Sequence, residues 1–183
     1  MCGIIGITSN KTVSSTILNS LKKLEYRGYD SAGIATLEGG IIKEIKCEGR
    51  VDTLELNLSK QNLEGNIGIG HVRWATHGVP SVVNAHPHSS EIVSVVHNGI
   101  IENSDELKKT LELKGLKFKS QTDTEVITLL ITEELKKEKP LNAVFKTLKQ
   151  LKGSFALGII FKHHKDIIIG ARRGSPLAVG YSK

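Results

Sequence analysis

Cysteine, proline and aromatic residues are all scarce in this chain. Its 183 residues include two Cys, four Pro, one Trp, three Tyr and four Phe. Two cysteines far apart, Cys2 and Cys47, cannot build a disulfide framework, and no basic, apolar-cored leader opens the sequence. A reducing, cytoplasmic setting is therefore expected. Long apolar runs are lacking too: "IIGITS", "IVSVV" and "SFALGIIF" are strand-length, well short of the roughly 18 residues a membrane helix needs. No membrane partner is expected. The formal charge is +6, but the lysines alternate with glutamates in "EELKKEK" and "DELKKTLELKG", as on solvated helix faces. With 4% aromatics and no basic run interleaved with aromatic rings, nucleic-acid binding is not expected. No Pro/Gly/Ser-rich linker or internal repeat divides the chain, which predicts one domain over residues 1–183.

What is present reads as strands at both ends with helices between. "CGIIGITS" predicts a buried strand, and "SSTILNSLKKLEY" a helix whose Ile17, Leu18, Leu21 and Leu24 share a face behind Ser14 and Ser15 as cap candidates. After the loop "RGYDSAG", strands "AGIATLE" and "IIKEIKCE" flank Gly39-Gly40 as a hairpin, and "VDTLELNLSK" reads as a short helix. "NIGIGHVRWAT" and "EIVSVVHNGII" read as core strands around a long loop, "HGVPSVVNAHPHSS", of the kind that carries function. Three helices follow in "NSDELKKTLELKG", "TDTEVITLLITEELKKE" and "PLNAVFKTLKQLKG". Strands "SFALGIIF" and "DIIIGARR" then form a hairpin through "KHHK", and "PLAVGYS" reads as one more short strand. The pattern predicts sheet layers covered by helices, an α+β fold without repeating βαβ units.

Cys2 is the first candidate for chemistry. Removal of Met1 would leave a residue carrying both a thiol and a free α-amine, whose ordinary pKa values of about 8.5 and 7.7–8.0 suit a nucleophile and its base. The plainer reading is a small buried hydrophobe. Asn98-Gly99 is first of all a hairpin signal; a side-chain amide beside a glycine N–H is also a pair of oxyanion donors. Arg73, at the end of an apolar run, calls for an anion, either a substrate carboxylate or an internal Asp or Glu. Asp123 could bind an ammonium group, or simply sit in the first turn of a helix opened by a Thr122/Glu125 capping box. Of the seven histidines, the H-x-H of "AHPH" has no further ligand nearby, so no metal site is expected. His77 or His97 could instead serve Cys2 as a base.

The series "MCGIIGI", "LEYRGYDSAGIA", "GHVRWATHG", "NAHPH", "HNGIIEN", "TDTEV", "GSFAL" and "RRGSPL" runs in one order along the whole chain. It resembles the class II glutamine amidotransferase domains, and among them the hexosamine branch most closely. The resemblance implies a four-layer αββα sandwich of the N-terminal nucleophile hydrolase type. It also implies hydrolysis of L-glutamine to glutamate and ammonia through a Cys2 thioester, for conversion of fructose 6-phosphate to glucosamine 6-phosphate. Asn98 and Gly99 would hold the oxyanion, Arg73 the substrate α-carboxylate and Asp123 its α-ammonium. Trp74, Thr76 and His77 would lie on a segment closing over the substrate, and Arg27 on the loop supporting the N-terminus. No cofactor is implied. A sugar-phosphate isomerase domain is the implied partner, and a homodimer stays open. In that family the domain continues past the "GSPL" region, so its C-terminal part and the isomerase domains are expected to be absent from residues 1–183. The alternatives are a non-catalytic amino-acid-binding or assembly module of the same fold, another class II amidotransferase such as an amidophosphoribosyltransferase, or a Cys-His hydrolase.

Overall fold

The computed structural model describes residues 2–75 and 78–181. In chain order the elements are β1 (Gly3–Thr8), α1 (Ser14–Leu24), a 3₁₀ turn (Glu25–Arg27), β2 (Ser31–Glu38), β3 (Ile41–Glu48), α2 (Val51–Lys60) and β4 (Ile67–Arg73). They continue with β5 (His88–Ser89), β6 (Val93–Ile101), α3 (Ser104–Leu113), α4 (Asp123–Glu134), α5 (Pro140–Gln150), β7 (Gly153–Phe161) and β8 (Ile168–Arg173). Two antiparallel sheets result, in the orders β1-β4-β2-β3 and β5-β6-β7-β8.

Three buried clusters fill the three spaces between four layers. Ile17, Leu18 and Leu21 of α1, with Val51 and Leu54 of α2, pack on Ala32, Ile34, Ile45 and Val72 of the first sheet. Between the sheets lie Ala35, Leu37, Ile67 and Ile69 against Val96 and Ile160. The far face of the second sheet offers Val93, Val95, Phe155, Leu157, Ile159 and Phe161 to Leu111, Val126, Ile127, Ile131 and Val144 of the outer helices. Each fully buried Val, Leu, Ile or Phe among them stabilises the fold by roughly 1.5–3 kcal/mol. The expected αββα sandwich is therefore the observed one, and no helix among the described residues is long and apolar enough to cross a membrane.

The sequence "IGIGHVR" of β4 shows how the layers are specified. Alternate residues of a strand point to opposite faces, so Ile67, Ile69, His71 and Arg73 share the inter-sheet face while Gly68, Gly70 and Val72 face α1. A Cβ at Gly70 would lie 2.5 Å from Ile17 Cγ2, and one at Gly68 would lie 2.9 Å from Ile17 Cδ1. Side chains there would push α1 off the sheet.

Four local expectations are corrected. Asn98-Gly99 is not a turn: both residues lie inside β6, opposite Ala156 and Phe155 of β7. Gly99 has φ +143°, and a Cβ there would fall 2.1 Å from the Ser154 carbonyl oxygen. The glycine thus marks a close approach of two strands, because β7 supplies a continuous partner on one side. Ser14 and Ser15 do not cap α1, since the N-cap position is Val13 and no side chain bonds there. No capping box forms at α4; the Glu125 carboxylate reaches back past Thr122 to accept the N–H groups of Lys119 and Ser120. Finally, residues 176–181 of "PLAVGYS" form no strand, Ser182 lies outside the described residues, and β8 ends at Arg173.

The 86–88 segment is seated directly on β2. A Cβ at Gly33 would stand 2.2 Å from the His86 carbonyl oxygen. Gly33→Ala is therefore expected to cost about 1–3 kcal/mol of stability through overpacking, read as a lower urea midpoint. An unchanged midpoint would contradict that seating.

Candidate active site

Antiparallel pairing places Gly3 opposite Val72, so the residue before the strand, Cys2, arrives beside the end of β4. The Trp74 N–H donates to Cys2 Sγ at 3.3 Å, and the thiol lies 3.6 Å from the Trp74 carbonyl oxygen. Arg27 Nε donates to the Cys2 carbonyl oxygen at 2.9 Å. Burial pushes the Cys2 thiol up, opposed by the Trp74 N–H and, among nearby charges, by the Arg73 guanidinium. A thiol held mostly protonated needs a base to make it a nucleophile.

A cleft opens beside this sulfur, lined by Cys2, Arg73, Trp74, His86, His97, Gly99, Thr122, Asp123 and Thr124. It brings together six residues that the sequence offers as candidates for chemistry: Cys2, Arg73, Trp74, His97, Gly99 and Asp123. Asn98 is half-buried and shares the inter-sheet face with Val96 without lining the cleft itself. Thr76 and His77 lie outside the described residues. Arg73 is buried, donates from Nη2 to the Gly78 carbonyl oxygen at 3.0 Å, and stands 3.7 Å from the Asp30 carboxylate. An internal acid therefore neighbours the guanidinium at the cleft wall. Asp123 Oδ2 accepts the Ile101 N–H at 2.8 Å, and its Oδ1 lies 3.7 Å from His97 Nδ1.

Sequence reasoning does not single out several residues that shape this cleft. Asp30 accepts the Ala75 N–H and the Ser31 hydroxyl, and its own N–H donates to the Arg73 carbonyl oxygen. Its only signal is its place in "RGYDSAG". A Cβ at Gly28 would lie 2.5 Å from the Arg73 carbonyl carbon, so this loop presses against the end of β4. Four buried histidines, His71, His86, His88 and His97, gather here, and His86 and His97 line the cleft themselves. The sequence points to His97 as a possible base and to His86 and His88 as an H-x-H pair, but not to their packing with His71. The His71 and His86 rings stack with centroids 4.1 Å apart, and the His86 and His88 rings meet edge to face at 4.7 Å. His71 Nε2 donates to the His97 carbonyl oxygen at 2.9 Å. Thr124 Oγ1 lies 2.7 Å from His86 Nε2 and 2.9 Å from His97 Nδ1. A hydroxyl has one proton, so at least one of these two rings donates to it. Thr122 Oγ1 meets His88 Nε2 at 2.9 Å. Among the described residues no group of three or more His, Cys, Asp or Glu side chains could hold a metal ion.

Two facing sheets between helix layers, with a cysteine at the mouth of a polar cleft where the first strand begins, define an N-terminal nucleophile hydrolase fold. Residues 77–182 match the family described as the glutamine amidotransferase domain. The chain belongs to that family. It is 54% identical, over 99% of its length, to the glutamine–fructose-6-phosphate aminotransferase (isomerizing) of Mesorhizobium japonicum, and 53% identical over its full length to that of Brucella abortus. It spans 30% of the length of each. Among solved structures, a Bacillus subtilis glutamine phosphoribosylpyrophosphate amidotransferase superposes with a TM-score of 0.80 at 27% identity, over 94% of this chain and 37% of that one. A class II glutamine aminotransferase domain protein from Silicibacter pomeroyi shares the fold, with a TM-score of 0.64 at 14% identity, over 96% of this chain and 78% of that one.

The histidine cluster makes stability depend on pH. Burial pushes His71 and His88 down to about 3, and His86 well below the usual imidazole range. Between the ordinary value of about 6.5 and these depressed values the unfolded chain binds more protons than the folded one, so stability falls as pH falls. Three such rings give a slope approaching about 4 kcal/mol per pH unit. Denaturant unfolding at pH 7, 6 and 5, above the carboxylate range, should show it. A pH-independent midpoint over that interval would contradict neutral, buried rings.

Proposed function

We propose that this chain hydrolyses L-glutamine to glutamate and ammonia, with Cys2 as nucleophile. The observation that carries the reading is the Cys2 sulfur at the mouth of one cleft, flanked by the Arg73 cation, the Asp123 anion and the Gly99 backbone. A free amino acid carries an α-carboxylate and an α-ammonium, and these two side chains complement them. With Met1 removed, the Cys2 α-amine takes the thiol proton through a water, and the thiolate attacks the side-chain amide carbon. The carbonyl oxygen becomes an oxyanion received by Asn98 and Gly99. Collapse breaks the C–N bond, the leaving nitrogen takes the proton, and ammonia departs from a thioester. Water then adds to the thioester carbon through a second oxyanion, and the C–S bond breaks to give glutamate and the free thiol. Arg27, bonded to the Cys2 carbonyl oxygen, steadies the N-terminal residue. Trp74, Thr76 and His77 belong to the segment that covers the bound substrate.

The destination of the ammonia is read from the relatives. Identity of 54% to an enzyme named for glutamine and fructose 6-phosphate, against 27% to the phosphoribosylpyrophosphate amidotransferase structure, favours the hexosamine branch. In this reading residues 1–183 supply ammonia to a sugar-phosphate isomerase domain that makes glucosamine 6-phosphate, in the cytoplasm and without a cofactor.

Two tests follow from the roles. An uncleavable N-terminal tag turns the α-amine into an amide and should abolish glutamate release, whereas full activity with the tag would move the base role to a histidine. Asn98→Ala should lower kcat about a hundredfold with little change in KM, since it removes a donor used mainly in the transition state. Arg73→Ala should act chiefly through KM, because the α-carboxylate is held before and during reaction alike. The reverse pattern in steady-state kinetics would exchange the two assignments.

A further inference from the structure

Two segments distant in sequence interlock at the rim of the cleft. The Gln121 N–H donates to Asn84 Oδ1 at 2.9 Å, and Asn84 Nδ2 donates back to Gln121 Oε1 at 3.1 Å and to the Val79 carbonyl oxygen at 2.9 Å. Gln121 Oε1 also receives the Val79 N–H at 3.4 Å. Asn84 is only 3% exposed, so its amide is spent wholly on this junction. Gly78 lies directly on it: with φ +77°, a Cβ there would stand 2.8 Å from Asn84 Nδ2 and 2.9 Å from Gln121 Cβ. The Gly78 carbonyl oxygen in turn accepts from Arg73 Nη2. On the other side, Gln121 is two residues before Asp123, at the start of α4.

We propose that Asn84 and Gln121 form a clasp that positions Arg73 and Asp123 for the substrate amino-acid head group. The proposal rests on the glutaminase reading. Hydrogen bonds run from the Arg73 guanidinium to Gly78, and from its neighbour Val79 through Asn84 to Gln121, which the chain itself joins to Asp123 two residues on. Neither clasp residue lines the cleft, so both are positioning residues and not catalytic ones. Holding two charges at a fixed separation before binding removes an ordering cost from association. The clasp should therefore govern KM and leave the chemistry at Cys2 alone. It also has a defined chemical demand, because among the described residues the Gln121 side chain acts through Oε1, as an acceptor for Asn84 Nδ2 and the Val79 N–H. A carboxylate can meet that demand.

The test compares Gln121→Ala with Gln121→Glu in the full chain, at a position that is solvent-exposed and so tolerant of change. Gln121→Ala is expected to raise the glutamine KM about tenfold or more with kcat within about threefold, and Gln121→Glu to stay within about twofold of the parent in both. Backbone hydrogen exchange at residues 79 and 121 should speed up about tenfold in Gln121→Ala and not in Gln121→Glu. Unchanged exchange in Gln121→Ala overturns the clasp, whatever the activity. Faster exchange with an unchanged KM overturns its positioning role, and a Gln121→Glu variant as impaired as the alanine overturns the acceptor assignment. A parent chain that releases no glutamate, yet shows the exchange pattern, supports the clasp and overturns the glutaminase reading instead.

Discussion

In the pairing of β1 with β4, Gly3 faces Val72 and Ile7 faces Gly68, which carries Cys2 to the end of β4 where Arg73 and Trp74 emerge. Everything at the cleft depends on that register. A slip of one residue would turn the whole of β1 over, sending Ile5 and Ile7 away from α1 and withdrawing the thiol from the Trp74 N–H. The register is pinned from both sides. Gly68 and Gly70 must lie under Ile17, while Ile67 and Ile69 must enter the space between the sheets. Layer packing and placement of the nucleophile are thus one constraint.

The electrostatics around the sulfur follow from the same placement. The inter-sheet face of β4 ends in a histidine and an arginine, His71 and Arg73, both buried. Burying a charge is costly without a partner, and the fold resolves the two differently. The histidine stays neutral, stacked on His86 and donating to a backbone carbonyl. The arginine keeps its charge and is surrounded by Asp30 and the Gly78 carbonyl oxygen. With His71, His86 and His88 held neutral by burial, the Arg73 guanidinium and the Asp123 carboxylate are left as charged groups among the residues that line the cleft.

Local sequence made much of this legible. The strand-length apolar runs "IGIGHVR" and "SFALGIIF" mark buried strands, the spacing of Ile17, Leu18 and Leu21 marks a helix face, and Gly39-Gly40 marks the β2–β3 hairpin. It misled at Asn98-Gly99, where a dipeptide that favours a turn lies within a strand because β7 continues alongside it. It misled again at α4, whose acid at the third helical position was read as half of a capping box and instead ties down the preceding loop. In the first place a distant strand, and in the second a competing pair of backbone N–H groups in the adjoining loop, outweighs a local preference of about 1 kcal/mol.

By itself, the sequence determined which stretches alternate as strands, which present helix faces, and that a cysteine stands at the head of the first strand. Those features have short periods and need no partner to be read. Only the tertiary structure decided that Asp30 would face Arg73 and Ala75, that His71 and His86 would stack, and that Asn84 would clasp Gln121. These pairs are brought together by the β1-β4-β2-β3 pairing and by the seating of α4 on the second sheet. Their residue types are ordinary surface choices until burial removes water and leaves each polar group to find its partner within the protein.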